Sequence, residues 1–243
     1  MTDEPEDHRF SEGQGFEDPY EGFDLEDPSV ATDDLGVVDP VDSHVLTDRL
    51  GEEQVRPDEV DAGELLDVGL SYVRINRYEQ AADTFERTAR YADDEGVEQE
   101  AWTNKGAAHA ELEEYDRAIG AYREAIDVDE DSEHAATAET NLAYALWEFG
   151  RTEEALEHAE RAVEIDPRFA EAWYNRGFFL NERGLNEDAL NAFDNAVRLG
   201  YRSADLLEEK AIALEEMGEF ERAEEVVEEA EERREEREQQ LLE

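Results

Sequence analysis

The stretch AEAWYNRGFFLNERG, residues 170–184, decides how the whole chain reads. Asp166-Pro167 stands just ahead of it, where a preceding helix has to stop. Within it Trp173 opens an amphipathic helix, and Trp173 and Phe179 point to a core. Tyr174, Phe178 and Asn181 recur at spacings of three or four and so share another face. Ala189, Leu190, Phe193 and Ala196 follow at the spacing of a second amphipathic helix. The pattern is that of a helical hairpin. Gly177 and Ala189 are the small residues that let its two helices approach closely.

Working outward, the hairpin recurs. Gly69, Gly106, Ala143, Gly177 and Ala211 keep one register, Ala81, Ala118, Ala155, Ala189 and Ala223 keep a second, and Thr88, Ala125, Ala162, Ala196 and Ala230 keep a third. All three share the same intervals, a period of 34 to 37 residues that signals a stacked repeat array. Large residues fill the space between: Leu65, Trp102, Trp173 and Leu207 open first helices, while Phe85, Tyr122, Phe193 and Val227 sit on second helices. Tyr78, Tyr115 and Phe220 mark the turns within hairpins.

In these positions residues 62 to about 230 resemble the tetratricopeptide repeat family, most closely over residues 170–196. The departures are Thr88 for an alanine, Glu139 for the opening aromatic of the third repeat, and three extra residues after each of the first two repeats. The resemblance implies an all-α, right-handed α-solenoid of five helix-turn-helix repeats, starting near residues 62, 99, 136, 170 and 204. Residues 62–243 form this solenoid, and EERREEREQQ extends its last helix as a charged tail. Pairs such as Glu229 with Arg233 and Arg234 with Glu238 have the four-residue spacing that supports such a tail.

Residues 1–61 have a different texture. They carry 21 acids, three arginines and five of the six prolines, with apolar residues scattered singly, and read as an acidic disordered arm. Gly15-Phe16-Glu17-Asp18-Pro19 is echoed by Gly22-Phe23-Asp24-Leu25-Glu26-Asp27-Pro28, either a short linear motif or a solubilising tail with stray aromatics. Val41 to Leu50 have the pattern of a short helix capped by Asp42 or Ser43.

The chain of 243 residues holds 71 acids against 22 basic residues, a formal charge of -49, and only Lys105 and Lys210 among its cations are lysines. This composition resembles that of proteins from salt-accumulating halophilic archaea. At about 1 M salt the Debye length falls to about 3 Å, and carboxylates this dense cease to repel across the fold. Nucleic acid is excluded as a partner because no cluster of Lys and Arg exists to bind phosphates. The absence of cysteine removes disulfides, thiolate metal sites and cysteine nucleophiles. MTDEPEDHRF lacks the basic and apolar stretches of a secretory leader and no window is apolar enough to span a membrane, so the expectation is a cytoplasmic protein.

No catalytic chemistry emerges. There is no phosphate-cradling glycine loop and no nucleophile elbow, and no cofactor is expected. Asp127, Asp129 and Asp131 imitate the start of a calcium loop, but Ser132 stands where its glycine belongs and Ala138 where its bidentate acid belongs. His8, His44, His109, His134 and His158 show no metal-ligand spacing, and His109 falls on a position the repeat buries.

The resemblance instead implies a groove, lined by the first helix of each pair, that grips extended peptides or partner helices. Carried over residue by residue, it places Asn104, Asn141 and Asn175 at equivalent positions, where amides can bind a peptide main chain. Tyr144 and Trp147 lie beside that row in the third repeat, with Tyr174, Phe178 and Asn181 in the fourth; they either face the groove or pack between repeats. Glu111, Glu148, Glu171, Glu182, Glu208, Glu209, Glu215 and Glu216 make the rim acidic, which suits a protein or peptide partner carrying basic residues. The family's clamp for acidic chaperone tails needs Lys and Arg where this chain has Leu66, Leu70, Asn104, Thr137 and Asn141, so that role is not expected. The expected function is a protein-interaction scaffold. The alternative is a self-assembling adaptor acting through the last repeat and its acidic tail.

Overall fold

Four of the five first helices start where a side chain takes over the free N–H groups of a helix end; the fourth, which follows Phe169, has no such cap. Asp61, Asp94, Ser132 and Ser203 each accept from main-chain N–H groups two or three residues on. In the computed structural model, which describes residues 61–241, ten helices follow one another. They are α1 (Ala62–Arg74), α2 (Tyr78–Tyr91), α3 (Glu95–Glu111), α4 (Tyr115–Val128), α5 (Glu133–Glu148), α6 (Thr152–Ile165), α7 (Ala170–Glu182), α8 (Asn186–Arg198), α9 (Ala204–Glu216) and α10 (Phe220–Leu241). Residues 62–241 form an all-helical α-solenoid of five hairpins. The expected helix at 41–50, the acidic-aromatic motif and the disorder of the arm lie outside the described residues.

All five hairpins turn in one way. The residue two beyond each first helix takes a positive φ: Asn76 (56°), Glu113 (59°), Gly150 (86°), Gly184 (70°) and Gly218 (78°). The next N–H reaches back to a carbonyl in the last turn, as Arg77 does to Tyr72, Glu114 to His109 and Arg151 to Leu146. Glu113 is the strained member, because a side chain at this φ crowds the backbone.

All fifteen residues of the three small-residue registers are buried. Their identities answer to what faces them. A Cβ placed on Gly69, Gly106 or Gly177 would come within 2.4 Å of the Phe85 ring, 2.5 Å of the Tyr122 ring or 2.6 Å of the Phe193 ring respectively. In the third and fifth hairpins, where the first helix carries Ala143 and Ala211, the residue in the ring's register is Ala159 or Val227. Thr88, the exception in the third register, turns its hydroxyl back to Thr84 O at 3.0 Å and is fully buried without an orphaned group.

Glu139, which replaces an opening aromatic, is 4% exposed and bonds through Oε2 to His158 Nδ1 on α6 at 2.6 Å. Gln99 is 1% exposed at the start of α3. Its amide donates to the carbonyls of Ala125 and Asp129 at 2.9 and 2.8 Å and accepts from the Ser132 hydroxyl, tying the end of α4 to the cap of α5. The calcium-like aspartates lie in this same connection. Asp131 pairs there with Arg161 at 3.0 Å, and among the described residues no group of three His, Asp or Glu could hold a metal. His109 is buried as expected, with Nδ1 2.8 Å from Glu114.

Two expectations need correction. Trp173 is only half-buried: its indole N–H donates to Pro167 O at 3.0 Å and the Arg176 guanidinium lies 5.6 Å from its ring centre, so the ring seals an edge of the core and Phe179, 2% exposed, fills it. The tail does not stabilise itself through the expected four-residue pairs. Glu229 pairs with Arg202, just before α9, and Arg234 pairs with Glu208 on α9, because this helix and the segment leading into it lie alongside α10 and offer closer charges.

Candidate functional site

Successive first helices touch one another, α1 with α3, α3 with α5, α5 with α7 and α7 with α9, whereas successive second helices make at most marginal contact. The first helices therefore form the inner wall of the curve.

On α3, α7 and α9 the Lys and Arg side chains are turned off this wall. Lys105, Arg176 and Lys210 occupy equivalent first-helix positions, and each reaches sideways to an acid on the preceding second helix: Glu86 at 2.7 Å, Glu160 at 3.8 Å and Asp194. The hydrogen bond from Lys105 holds the Glu86 carboxyl below its ordinary range. Both lysines of the chain are thus spent in holding one hairpin to the next. The second and third pairs share a 16-residue spacing, and the first is longer by the three extra residues that follow its repeat.

The eight expected groove residues divide into three sets. Tyr144, Trp147 and Phe178 are brought together: Tyr144 and Trp147 have ring centres 6.1 Å apart, and Trp147 meets Phe178 edge-on at 5.1 Å. Phe178 in turn packs edge-on against buried Phe179 at 5.5 Å, so the row is rooted in the core and ends outward at Tyr144, which is 46% exposed. The Tyr144 hydroxyl is pushed up to about 12, first by its hydrogen bond to the Glu148 carboxylate and then by burial.

The second set, Asn104 and Asn141, is partly exposed, and neither amide has a hydrogen-bond partner among the described residues.

The third set is engaged within its own repeat, by Tyr174, and with the neighbouring repeats, by the two asparagines. Tyr174 lies against Tyr201 at 5.3 Å and Phe193 at 6.3 Å, and burial raises its hydroxyl well above the ordinary value. Asn175 donates to Thr140 O on the neighbouring first helix at 3.3 Å. Asn181 donates to Glu209, main chain at 3.3 Å and carboxylate at 3.1 Å. Burial raises the Glu209 carboxyl, and the Asn181 bond partly offsets it.

One wall residue escaped the sequence reading. Ile212 is 47% exposed and follows Tyr144 and Phe178 at the same 34-residue interval, so the apolar row continues onto α9. Equal spacing was the available clue. Exposed acids flank the row, with Glu148, Glu182 and Glu216 at the ends of α5, α7 and α9 and Glu171 and Asp205 near the starts of α7 and α9.

Stacked helical hairpins in one shared register define a helical-repeat protein. Three profiles of the tetratricopeptide repeat match residues 98–168, 158–191 and 180–237, together spanning 98–237, and the chain belongs to the tetratricopeptide repeat family. No curated protein matches the chain. Among solved structures, MamA is similar at 17% identity and a TM-score of 0.59, over 71% of this chain and 97% of that one. MamA from Desulfovibrio magneticus RS-1, residue 41 to the end, is similar at 20% identity and a TM-score of 0.58, over 70% and 93%. YrrB, described as a TPR protein with an unusual peptide-binding site, is similar at 20% identity and a TM-score of 0.55, over 76% and 89%. At these identities the likeness is one of fold. No described helix is long and apolar enough to cross a membrane.

Proposed function

We propose that this chain is a protein-interaction scaffold, without chemistry of its own, that holds a basic protein or peptide segment on the inner wall of its third to fifth hairpins. The observation that carries the reading is the continuous row Tyr144–Trp147–Phe178, partly open to solvent and bordered by exposed carboxylates. Aromatic side chains rooted in a core present a large rigid area at little entropic cost, which is why such residues dominate binding hot spots at about 2 kcal/mol or more each. The bordering acids favour Lys and Arg on the partner and repel acidic competitors. YrrB, a neighbour of the same fold, is described as having a peptide-binding site, which supports the class of activity.

The test compares proteins captured at high salt by the wild type and by Tyr144→Ala/Phe178→Ala, with circular dichroism to show that both are folded. Loss of specific partners from the variant is the expected result. Identical partner sets at unchanged folding would remove the reading.

A second reading, self-assembly, has its own observation. Val227 is 36% exposed on α10, at the register position where Phe85, Tyr122 and Phe193 are buried, and Phe220 is 68% exposed. A second copy could cover this end. Sedimentation of the wild type against Phe220→Glu/Val227→Glu decides it: an oligomer lost in the variant supports assembly, and a monomer in both rejects it.

A further inference from the structure

The inner wall has more to say about the shape of what it holds, on the premise that it is the binding surface. An extended peptide presents an N–H and a C=O at every residue, and groups withdrawn from water in a groove need partners. Of the three side-chain amides on α5 and α7 suited to meet them, two are already engaged and Asn141 alone has no partner among the described residues, too few to serve a strand lying along the row. Asn175 is tied to Thr140 O and Asn181 to Glu209. The Asn181 carbonyl oxygen is itself buried without a partner, and so is closed to an incoming chain. On α9 the position equivalent to Asn141 and Asn175 is Glu209, which can only accept once ionised.

A helix brings its main chain already satisfied and asks a groove only for apolar contact and for charge on either side. Both are present. Tyr144, Phe178 and Ile212 stand at equivalent places on three successive first helices. With packed helices about 8–10 Å apart, the row runs about 16–20 Å, the length of roughly 11–13 helical residues at about 1.5 Å each. That is three turns, whose apolar residues at i, i+3 or i+4 and i+7 make one stripe. Glu148, Glu182 and Glu216 lie along one side of the row and Glu171 and Asp205 along the other. The only Lys or Arg on α5, α7 and α9 are Arg176 and Lys210, both turned to the preceding second helix.

We infer that the inner wall of α5, α7 and α9 receives an amphipathic helix of about three turns, with an apolar stripe and Lys or Arg on both flanks, in preference to an extended strand.

The experiment titrates the full-length protein at about 1 M salt, where non-specific attraction to its acidic surface is screened. Three synthetic peptides are used: a side-chain-stapled helix with a Leu stripe and Lys/Arg flanks, the same composition with D-residues that forbid a helix, and the stapled helix with Glu for its Lys and Arg. Calorimetry gives affinity, and fluorescence in a Trp102→Phe/Trp173→Phe background, where Trp147 is the one tryptophan left, reports the site. The stapled basic helix is expected to bind at least about tenfold more tightly than either of the others, and about tenfold more weakly to Tyr144→Ala/Phe178→Ala. If the non-helical peptide binds as tightly or more tightly, the helix inference is wrong and the groove reading survives. If the acidic helix matches the basic one, the flanking charge argument fails. If no peptide binds, or the double variant binds the stapled helix unchanged, the groove reading falls and takes the inference with it.

Discussion

Gly177→Ala should destabilise the fold, although the same change in an exposed helix would stabilise it. In a helix interior the glycine-to-alanine gain is about 1 kcal/mol. Here the new methyl would lie 2.6, 2.7 and 3.1 Å from three carbons of the Phe193 ring. Carbon atoms rest about 3.5–4.0 Å apart, so the ring has to retreat by about 1 Å. It is fully buried and packed in the main core with Leu180, Ala189 and Leu206, so it has no free direction to take. Overpacking of this kind costs about 1–3 kcal/mol. Together the two effects predict a net loss of up to about 2 kcal/mol, which for a domain of this size lowers the melting temperature by roughly 2–4 °C per kcal/mol. Thermal melts at high salt of Gly177→Ala, Phe193→Val and the double variant form a cycle. The third and fifth hairpins already pair alanine with a small or branched residue, so the double variant should recover at least about 0.5 kcal/mol relative to the sum of the singles. A stabilised Gly177→Ala, or strict additivity, would refute the close approach as the reason for glycine.

Glu113→Gly should raise stability by about 1 kcal/mol, since φ of 59° strains any residue with a Cβ and three sister turns already use glycine; chemical denaturation reads it. Gln99→Ala should cost about 1–3 kcal/mol in the same assay, because it strips two carbonyls of their donor at a buried site. Tyr144 should ionise near pH 12 in a spectrophotometric titration, and Glu148→Gln should bring that value down, because removing the carboxylate charge beside it makes the phenolate less costly. The melting temperature of the wild type should rise as salt is raised from about 0.15 M toward about 1 M, because screening relieves repulsion among the carboxylates. A flat salt profile would show that the acidity does not destabilise the fold.

The hairpin array was legible because close helix crossings admit only small residues, and Gly69, Gly106, Ala143, Gly177 and Ala211 announce them at a fixed period. The aromatic row was legible in part. Tyr144, Trp147 and Phe178 meet, and their spacing said they could. Tyr174 and Asn175 have the same kind of spacing, yet Tyr174 packs on Phe193 and Tyr201 of its own repeat and Asn175 turns to Thr140 of the preceding hairpin, choices made in three dimensions that leave no local pattern. Trp173 was misjudged because a large ring reads as core from any amphipathic position, while the Pro167 carbonyl and Arg176 draw it to an edge. Glu113 carries no turn chemistry in its identity; its left-handed conformation is imposed by the hairpin around it. Ile212 differs in kind from an aromatic, and only its interval links it to the row.

The match between each first-helix glycine and the ring opposite sets a limit on how such an array can be rebuilt. A first helix bearing Gly106 joined to the second helix bearing Ala159 would leave a void, and one bearing Ala143 joined to the helix bearing Phe193 would collide. Single helices are therefore not interchangeable among the repeats. Duplication, deletion or grafting should succeed only when both members of a pair travel together, which makes the hairpin the smallest transferable part of this chain.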